Sequence, residues 1–236
     1  MSLILSLDTT TKVCSVAIHS GGRLLNLQES RDDDYTHAEK LNVFIEKALK
    51  ETGLKPAQLD AVAIAGGPGS YTGLRIGASS AKGLCYALSK PLISIDPLEA
   101  LALACKENFL SGQELIFPMI DARRDEVFMS VFDAQLNRVE ETSAQIIDQQ
   151  FFDKYPDKTC ILAGDGAAKF QSLFSEHPLI TVLPDCLASA VYIGRLAEEK
   201  FRNSAFEDLA YYEPFYGKEF KTTVSKKLSK IHTSNS

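Results

Sequence analysis

The sequence predicts an α/β protein of two lobes, each built on a β-meander followed by helices. Strand-like alternation near the start of the chain gives way to helical spacing after about residue 35 and returns at about residue 115. Sliding the chain by 113 residues places Asp121 on Asp8 and the second run of strands and turns on the first, without a gap. Residue identity between the runs is low, so two unrelated hairpins are the alternative. The ordered match favours duplication.

The first lobe is predicted over residues 1–108. Apolar runs broken by polar turns indicate an antiparallel meander, and three-and-four apolar spacing then indicates a helix that ends at Gly53. Asp96 is placed to cap a further helix, with Pro97 in its first turn. The predicted elements are strands over 3–7, 14–18 and 24–27, a helix over 35–52, a strand over 61–65, a helix over 72–88 and a strand over 92–95.

The second lobe is predicted over 109–216, because periodicity lapses at 108–114 and strand character then returns. Its later part is predicted to contain a strand over 158–163, helices over 168–174 and 189–201, and an extended piece near 180–183. Residues 217–236 read as a loosely ordered basic tail. Its lysines at 218, 221, 226, 227 and 230 are either solvated or in contact with RNA or a partner.

Composition excludes several classes of function. A formal charge of −6 argues against a protein that binds RNA on its own, because RNA binding usually requires a basic surplus. The five cysteines are scattered and odd in number, which favours free thiols in a reducing cytosol. We find neither a membrane-spanning run nor a basic leader, so a cytoplasmic protein is expected. The acidic run at 32–34 reads as a solvated turn rather than a metal site.

The turn that begins at Asp8 is the first candidate site. Its backbone N–H groups and threonine hydroxyls are suited to phosphate oxygens, and the Asp8 carboxylate to a magnesium ion held through water. The alternative is a polar turn that satisfies itself by local hydrogen bonds. The equivalent turn in the second lobe carries Arg123 and Arg124 instead, which favour a carboxylate or phosphate from another molecule.

A glycine-rich stretch between a predicted strand and helix, GGPGSYTGLR from Gly66, is the second candidate. Gly73 is followed by Leu74 and Arg75, so the Gly-Lys-Ser/Thr of a Walker-type NTPase is missing. Gly73, Gly77 and Ala81 recur every four residues, and such a row of small residues lets another helix approach closely. Spacing alone leaves open whether that helix belongs to this chain or to a partner.

Nucleophilic and metal catalysis are disfavoured. The four histidines, at 19, 37, 177 and 232, lie far apart and form no H-x-x-x-H motif. Ser70 lies in a glycine-rich turn but lacks the G-x-S-x-G elbow of a hydrolase. The sequence therefore predicts no catalytic residue and no metal ligand in this chain.

These motifs resemble the TsaB family. The resemblance is carried by Leu7-Asp8-Thr9, by GGPGSYTGLRIG over 66–77, and by DARRDEVF over 121–128, and more loosely by 164–166 and 212–216. It implies an actin-like (ASKHA, ribonuclease H-like) fold. It also implies that the chain is a non-catalytic subunit that pairs with TsaD. Together with TsaE, that pair makes N6-threonylcarbamoyladenosine next to the anticodon of tRNA.

The resemblance also separates this chain from the catalytic paralogue TsaD, whose metal motif is H-x-E-G-H. Pro97 and Leu101 stand at the two histidine positions here, and neither side chain can bind a metal. An actin-like ATP-binding or ATP-hydrolysing enzyme remains the alternative, with an M22-type peptidase disfavoured by the missing histidines.

The resemblance implies two sets of site residues. The resemblance implies that this chain itself requires no cofactor. ATP or ADP with magnesium would bind, if at all, at a site shared within the complex. The chain would reach tRNA only through that complex. A homodimer through the partner surface is expected when TsaD is absent. The nucleotide residues are Asp8, Thr9, Thr10, Gly164 and Gly166, and the partner residues are Leu41, Phe44, Ile45, Leu49, Gly73, Leu74, Gly77, Ala81 and Leu84.

Overall fold

The computed structural model describes residues 1–31, 36–109 and 112–218. The acidic run at 32–34 and the tail from 219 to 236, with its lysines at 221, 226, 227 and 230, lie outside the described residues. The strands are β1 Leu3–Asp8, β2 Cys14–Ser20, β3 Arg23–Ser30, β4 Ala61–Ala65, β5 Leu92–Ile95, β6 Leu115–Asp121, β7 Glu126–Phe132, β8 Arg138–Ile146, β9 Cys160–Ala163 and β10 Ile180–Leu183. The α-helices are α1 His37–Thr52, α2 Tyr71–Leu88, α3 Pro97–Phe109 and α4 Ala190–Arg202.

The strands form two five-stranded sheets with the same order. The first is β3-β2-β1-β4-β5 and the second is β8-β7-β6-β9-β10. In each sheet an antiparallel meander is followed by two strands parallel to the first strand of the meander. The predicted α/β fold of two lobes with a duplicated meander is therefore confirmed.

The duplication extends to individual hydrogen bonds. The Oδ1 atom of Asp8 accepts the backbone N–H of Thr10 at 2.9 Å, and the Oδ1 atom of Asp121 accepts that of Arg123 at 2.7 Å. Both pairs lie 113 residues apart in the chain. Each is an Asx turn, in which an aspartate side chain closes the turn after its strand.

The helix boundaries follow from local chemistry. Ser70 caps α2 by accepting the backbone N–H of Gly73 at 3.3 Å. Asp96 accepts the N–H of Leu98 at 2.8 Å, as expected for the predicted start of α3. Gly53 ends α1 in the left-handed region at φ 69°, where glycine carries no Cβ penalty.

The second lobe departs from the predicted helices. Two short 3-10 helices, Phe151–Lys154 and Asp165–Phe170, follow its meander and β9, whereas an α-helix was predicted over 168–174. Helix α4 was assigned to the second lobe but packs on the first sheet, with Ile193 and Ala197 against Ile4 and Ile93. The chain therefore returns to the first lobe after completing the second sheet.

Each sheet has its own buried apolar cluster. The larger cluster of the first lobe lies between the sheet and helices α1 and α2, and that of the second lobe contains Phe117, Phe152 and Phe174. The cysteines at 14, 85, 105, 160 and 186 are buried free thiols. Among the described residues, no helix is both long and apolar enough to cross a membrane.

Candidate functional site

The Asp8 turn, residues 8–11, is buried. Asp8, Thr9 and Thr10 are each 1% exposed, and Thr11 is 5% exposed. Asp8 Oδ1 also accepts the Thr10 hydroxyl at 2.6 Å. The N–H and hydroxyl of Thr10, which the sequence predicts as phosphate ligands, are therefore covered and bonded to Asp8.

The glycine-rich loop, residues 66–70, and the start of α2 close over this turn. The Ser70 N–H donates to the Thr10 carbonyl at 2.7 Å, and the Thr9 hydroxyl donates to the Gly73 carbonyl at 2.7 Å. A Cβ on Gly73 would lie 1.9 Å from the Thr9 carbonyl oxygen, and one on Gly77 would lie 2.5 Å from Thr9 Oγ1. Only glycine permits this approach. The glycines therefore let α2 seat itself directly on the Asp8 turn.

The buried carboxyl of Asp8 is incompletely satisfied. Its Oδ2 atom has no hydrogen-bond partner among the described residues. Burial raises the pKa of Asp8, and the two hydrogen bonds from Thr10 oppose that rise. His37 lies on the far side of the turn, with Nε2 at 2.7 Å from the Thr11 carbonyl oxygen.

The predicted nucleotide glycines of the second lobe support packing. A Cβ on Gly164 would lie 2.2 Å from the Met119 carbonyl oxygen, and one on Gly166 would lie 2.9 Å from the Ile120 carbonyl carbon. Between them, Asp165 Oδ1 accepts the N–H of Asp121 at 3.1 Å. Burial raises the pKa of Asp165 to about 6. These residues hold the short 3-10 helix against β6.

Most of the predicted partner residues face the interior, which requires a correction. Gly73 and Gly77 pack on Thr9, and the other buried members lie in the apolar cluster or against its sheet. The chain itself covers this side of the helices, so a partner cannot reach it. The covered residues are Leu41, Ile45, Leu49, Gly73, Leu74, Gly77 and Ala81, whereas Phe44 and Leu84 are partly exposed.

The opposite side of α2 carries a second row of small residues, which we call the outer strip: Ser79, Gly83 and Ala87. All three are exposed, and a Cβ on Gly83 would meet no atom within 4 Å. Tyr86 beside them is 83% exposed, and Val43 on the neighbouring α1 is 57% exposed. The sequence contains this four-residue spacing, but spacing alone does not show which row faces solvent.

The C-terminal segment returns to the glycine-rich loop, a relationship that sequence reasoning missed. The N–H of Phe215 donates to the Gly66 carbonyl at 2.8 Å, and the ring of Tyr216 lies 4.8 Å from that of Tyr71. A cleft of about 640 Å³ lies beside this contact and is lined by the glycine-rich loop, the end of β5 and residues 207–215. The aromatic run at 211–216 was the available signal, but it does not identify its own partner.

Pro97 and Leu101, at the positions of the paralogue's metal histidines, are both buried, and Leu101 lies in an apolar cluster. Within the described part of the chain, no three or more His, Cys, Asp or Glu side chains converge on a point that could hold a metal ion. The residues present therefore do not form a metal centre at that position.

Two five-stranded sheets of the same strand order, each a meander followed by two parallel strands, define a two-lobed protein of the actin-like (ASKHA) class. Solved structures agree. YeaZ from Pseudomonas aeruginosa superposes with a TM-score of 0.77 at 26% identity, over 92% of this chain and 100% of that chain. The ethanolamine utilization protein EutJ from Carboxydothermus hydrogenoformans, at 11% identity and a TM-score of 0.54, shares the fold.

Sequence comparison identifies the family. Residues 33–214 match the family TsaD, tRNA N6-adenosine threonylcarbamoyltransferase. The tRNA threonylcarbamoyladenosine biosynthesis protein TsaB of Haemophilus influenzae is 32% identical over 90% of this chain and 92% of that protein. The threonylcarbamoyltransferase of Erythrobacter litoralis is 34% identical, but over 55% of this chain and 37% of its own length. The chain belongs to the TsaB family and has a role in the biosynthesis of threonylcarbamoyladenosine in tRNA.

Proposed function

We propose that this chain is a non-catalytic dimerisation and scaffold subunit of the tRNA N6-threonylcarbamoyladenosine transferase. In this proposal it pairs with TsaD, which performs the transfer to the adenosine next to the anticodon, and TsaE joins the pair. The observation that carries the proposal is the closed Asp8 turn. Its threonine hydroxyls and Thr10 N–H are bonded within the chain, so they are not free to hold a phosphate.

The outer strip on α2 supports pairing through helices. Ser79, Gly83 and Ala87 present a flat surface on which a partner helix can approach closely. Tyr86 on α2 and Val43 on α1 add exposed apolar area, and aromatic residues are enriched at interfaces. We expect a second copy of this chain to occupy the same surface when the partner is absent.

Size-exclusion chromatography with the cognate TsaD tests this proposal. Replacing Ala87 by Arg puts a long charged side chain on the outer strip, and we expect the heterodimer to be lost. The control is Ala168→Arg, because Ala168 is also exposed but lies on the 3-10 helix of the second lobe. Wild-type chain that gives no complex with TsaD would overturn the proposal. Equal binding by the two variants would remove the outer strip from it.

ATP binding is the second candidate function, because Asp8 retains a buried carboxylate where an actin-like nucleotide protein would hold magnesium through water. Isothermal titration with ATP and ADP, each with magnesium, separates the candidates. We expect no heat from the chain alone. Micromolar binding that is lost in Asp8→Asn would support the second candidate instead.

A further inference from the structure

We propose that Arg123 and Arg124, at the tip of the β6–β7 hairpin, contact the phosphodiester backbone of RNA. This inference rests on the proposed function, because the RNA would be the substrate of the assembled complex. Both arginines are exposed, and neither forms an ion pair with a described residue. Two exposed guanidinium groups at one hairpin tip are suited to bidentate phosphate contacts.

The backbone of this tip is unusual. Arg123 has φ 68° and Arg124 has φ 53°, so two consecutive residues with side chains occupy the left-handed region. Glycine or asparagine is the ordinary choice there, because a Cβ is unfavourable. Strained residues of this kind concentrate at functional sites. A requirement for the two guanidinium groups explains why arginine is present.

The tip is held rigidly from beneath. Lys169 Nζ donates to Asp121 Oδ1 at 2.6 Å, to the Arg124 carbonyl at 2.7 Å and to the Glu126 carbonyl at 2.8 Å. Asp121 Oδ1 also accepts the N–H of Arg123. Because one lysine joins both strands and the turn, the two arginines project from a fixed base. A fixed base lowers the entropic cost of placing them on a ligand.

Most carboxylates around the tip are engaged below it. Asp121 is paired with Lys169, Glu126 is paired with Lys218, and Asp165 accepts the N–H of Asp121. At the tip itself, Arg123 and Arg124 are accompanied by one exposed carboxylate, that of Asp125. Lys218 also donates to the Ala122 carbonyl of this hairpin at 3.4 Å.

The duplicated turn in the first lobe provides the contrast. The Asp8 turn makes the same Asx hydrogen bond as Asp121 but is buried under the glycine-rich loop and α2. The Arg123 turn is open to solvent. One copy of the duplicated hairpin is therefore closed by the chain, and the other presents cations.

RNA is the ligand that we assign to this surface. The chain as a whole carries a net charge of −6 and repels a polyanion, so contact with RNA requires a local cationic point. The family of this chain acts in tRNA modification, which supplies a phosphate-rich partner. Contact of the two arginines with an acidic protein is instead one outcome of the test below.

Fluorescence anisotropy of labelled tRNA with the chain–TsaD complex tests the inference over a series of salt concentrations. We expect the double variant R123Q/R124Q to weaken binding by about fivefold or more and to lower the log–log salt slope by about 1 to 2. The variant R123K/R124K keeps both charges and should retain most of the affinity. The control is Arg23→Gln, an exposed arginine on β3 without an ion pair to a described residue, which should change nothing.

Complex formation is measured on the same samples by size exclusion. Unchanged RNA affinity and salt slope in an intact R123Q/R124Q complex would overturn the inference. Loss of the protein complex in that variant alone would assign the arginines to a protein contact and would also overturn it. Failure of the wild-type chain to pair with TsaD counts against the proposed function instead.

Discussion

Thr9 and Gly73 form the contact that closes the Asp8 turn. The Thr9 hydroxyl donates to the Gly73 carbonyl at 2.7 Å, and the position of a Cβ on Gly73 lies 1.9 Å from the Thr9 carbonyl oxygen. The turn that an actin-like nucleotide protein would offer to phosphate is thereby packed against the first turn of α2. The following predictions depend on this contact and on the buried groups near it.

Replacing Gly73 by Ala should destabilise the fold. The new methyl group meets backbone, which cannot rotate away, so we expect a loss of about 1–3 kcal/mol in the free energy of unfolding. Gly83→Ala is the matched control on the same helix. Its Cβ meets nothing within 4 Å, so removing a helix-interior glycine should add roughly 0.5–1 kcal/mol. Urea denaturation followed by circular dichroism measures both. Equal effects would show that α2 does not sit on the turn.

Asp8→Asn should change how stability depends on pH. Burial raises the pKa of Asp8 above 3.8, so the folded protein binds this proton more readily than the unfolded chain. The contribution of Asp8 to the free energy of unfolding therefore increases as the pH falls through its pKa in the folded protein. Asp8→Asn lacks this gain. Wild type should therefore become more stable relative to the variant as the pH is lowered from 7.5 to 4. Urea titrations at the two pH values measure the difference, and a relative decline of wild type would refute the assignment.

His19 should have the opposite effect to Asp8, because its contribution to stability is lost rather than gained as the pH falls. It is 0% exposed beneath α4, where a Cβ on Gly194 would lie 2.1 Å from its Nδ1. Burial and then the charge of Arg195 lower its pKa from 6.5 to about 4, and Glu198 opposes the shift. The neutral form is favoured in the fold, so its contribution is complete above pH 6.5 and is lost as pH falls toward 4.

Comparing His19→Gln with wild type isolates this contribution from the other titrating groups. Between pH 7.5 and pH 5, wild type should lose about 2 kcal/mol more than the variant in the free energy of unfolding. Paired denaturation curves at the two pH values provide the measurement. Parallel losses in both proteins would show that the pKa of His19 is the same in the folded and unfolded states.

Local chemistry was sufficient to predict the first lobe closely. The strands over 61–65 and 92–95 have the predicted bounds, and Asp96 precedes α3 as expected. These elements depend on short-range patterns, namely apolar runs and caps. Helix α4 was also placed correctly along the chain. Its position on the first sheet depends on contacts between residues about 190 apart in sequence, which periodicity does not report.

The candidate site was less predictable for a related reason. Gly73, Gly77 and Ala81 form one row of small residues on α2, and Ser79, Gly83 and Ala87 form another. Spacing identifies both rows as smooth surfaces. Which row is buried depends on where the Asp8 turn lies, and that relationship joins segments more than 60 residues apart. The sequence therefore identified the helix but assigned the partner to a row of residues that the chain itself buries.

A reconstituted threonylcarbamoylation assay tests the central claim most directly. TsaD, TsaE, tRNA and the threonylcarbamoyl donor are combined with no chain, with wild type, or with Asp8→Asn, and modified adenosine is measured. We predict that modification requires the chain and that Asp8→Asn supports the wild-type rate, because the closed turn has no catalytic task. Loss of modification by an Asp8→Asn protein that still pairs with TsaD would contradict the account, as would full modification without the chain.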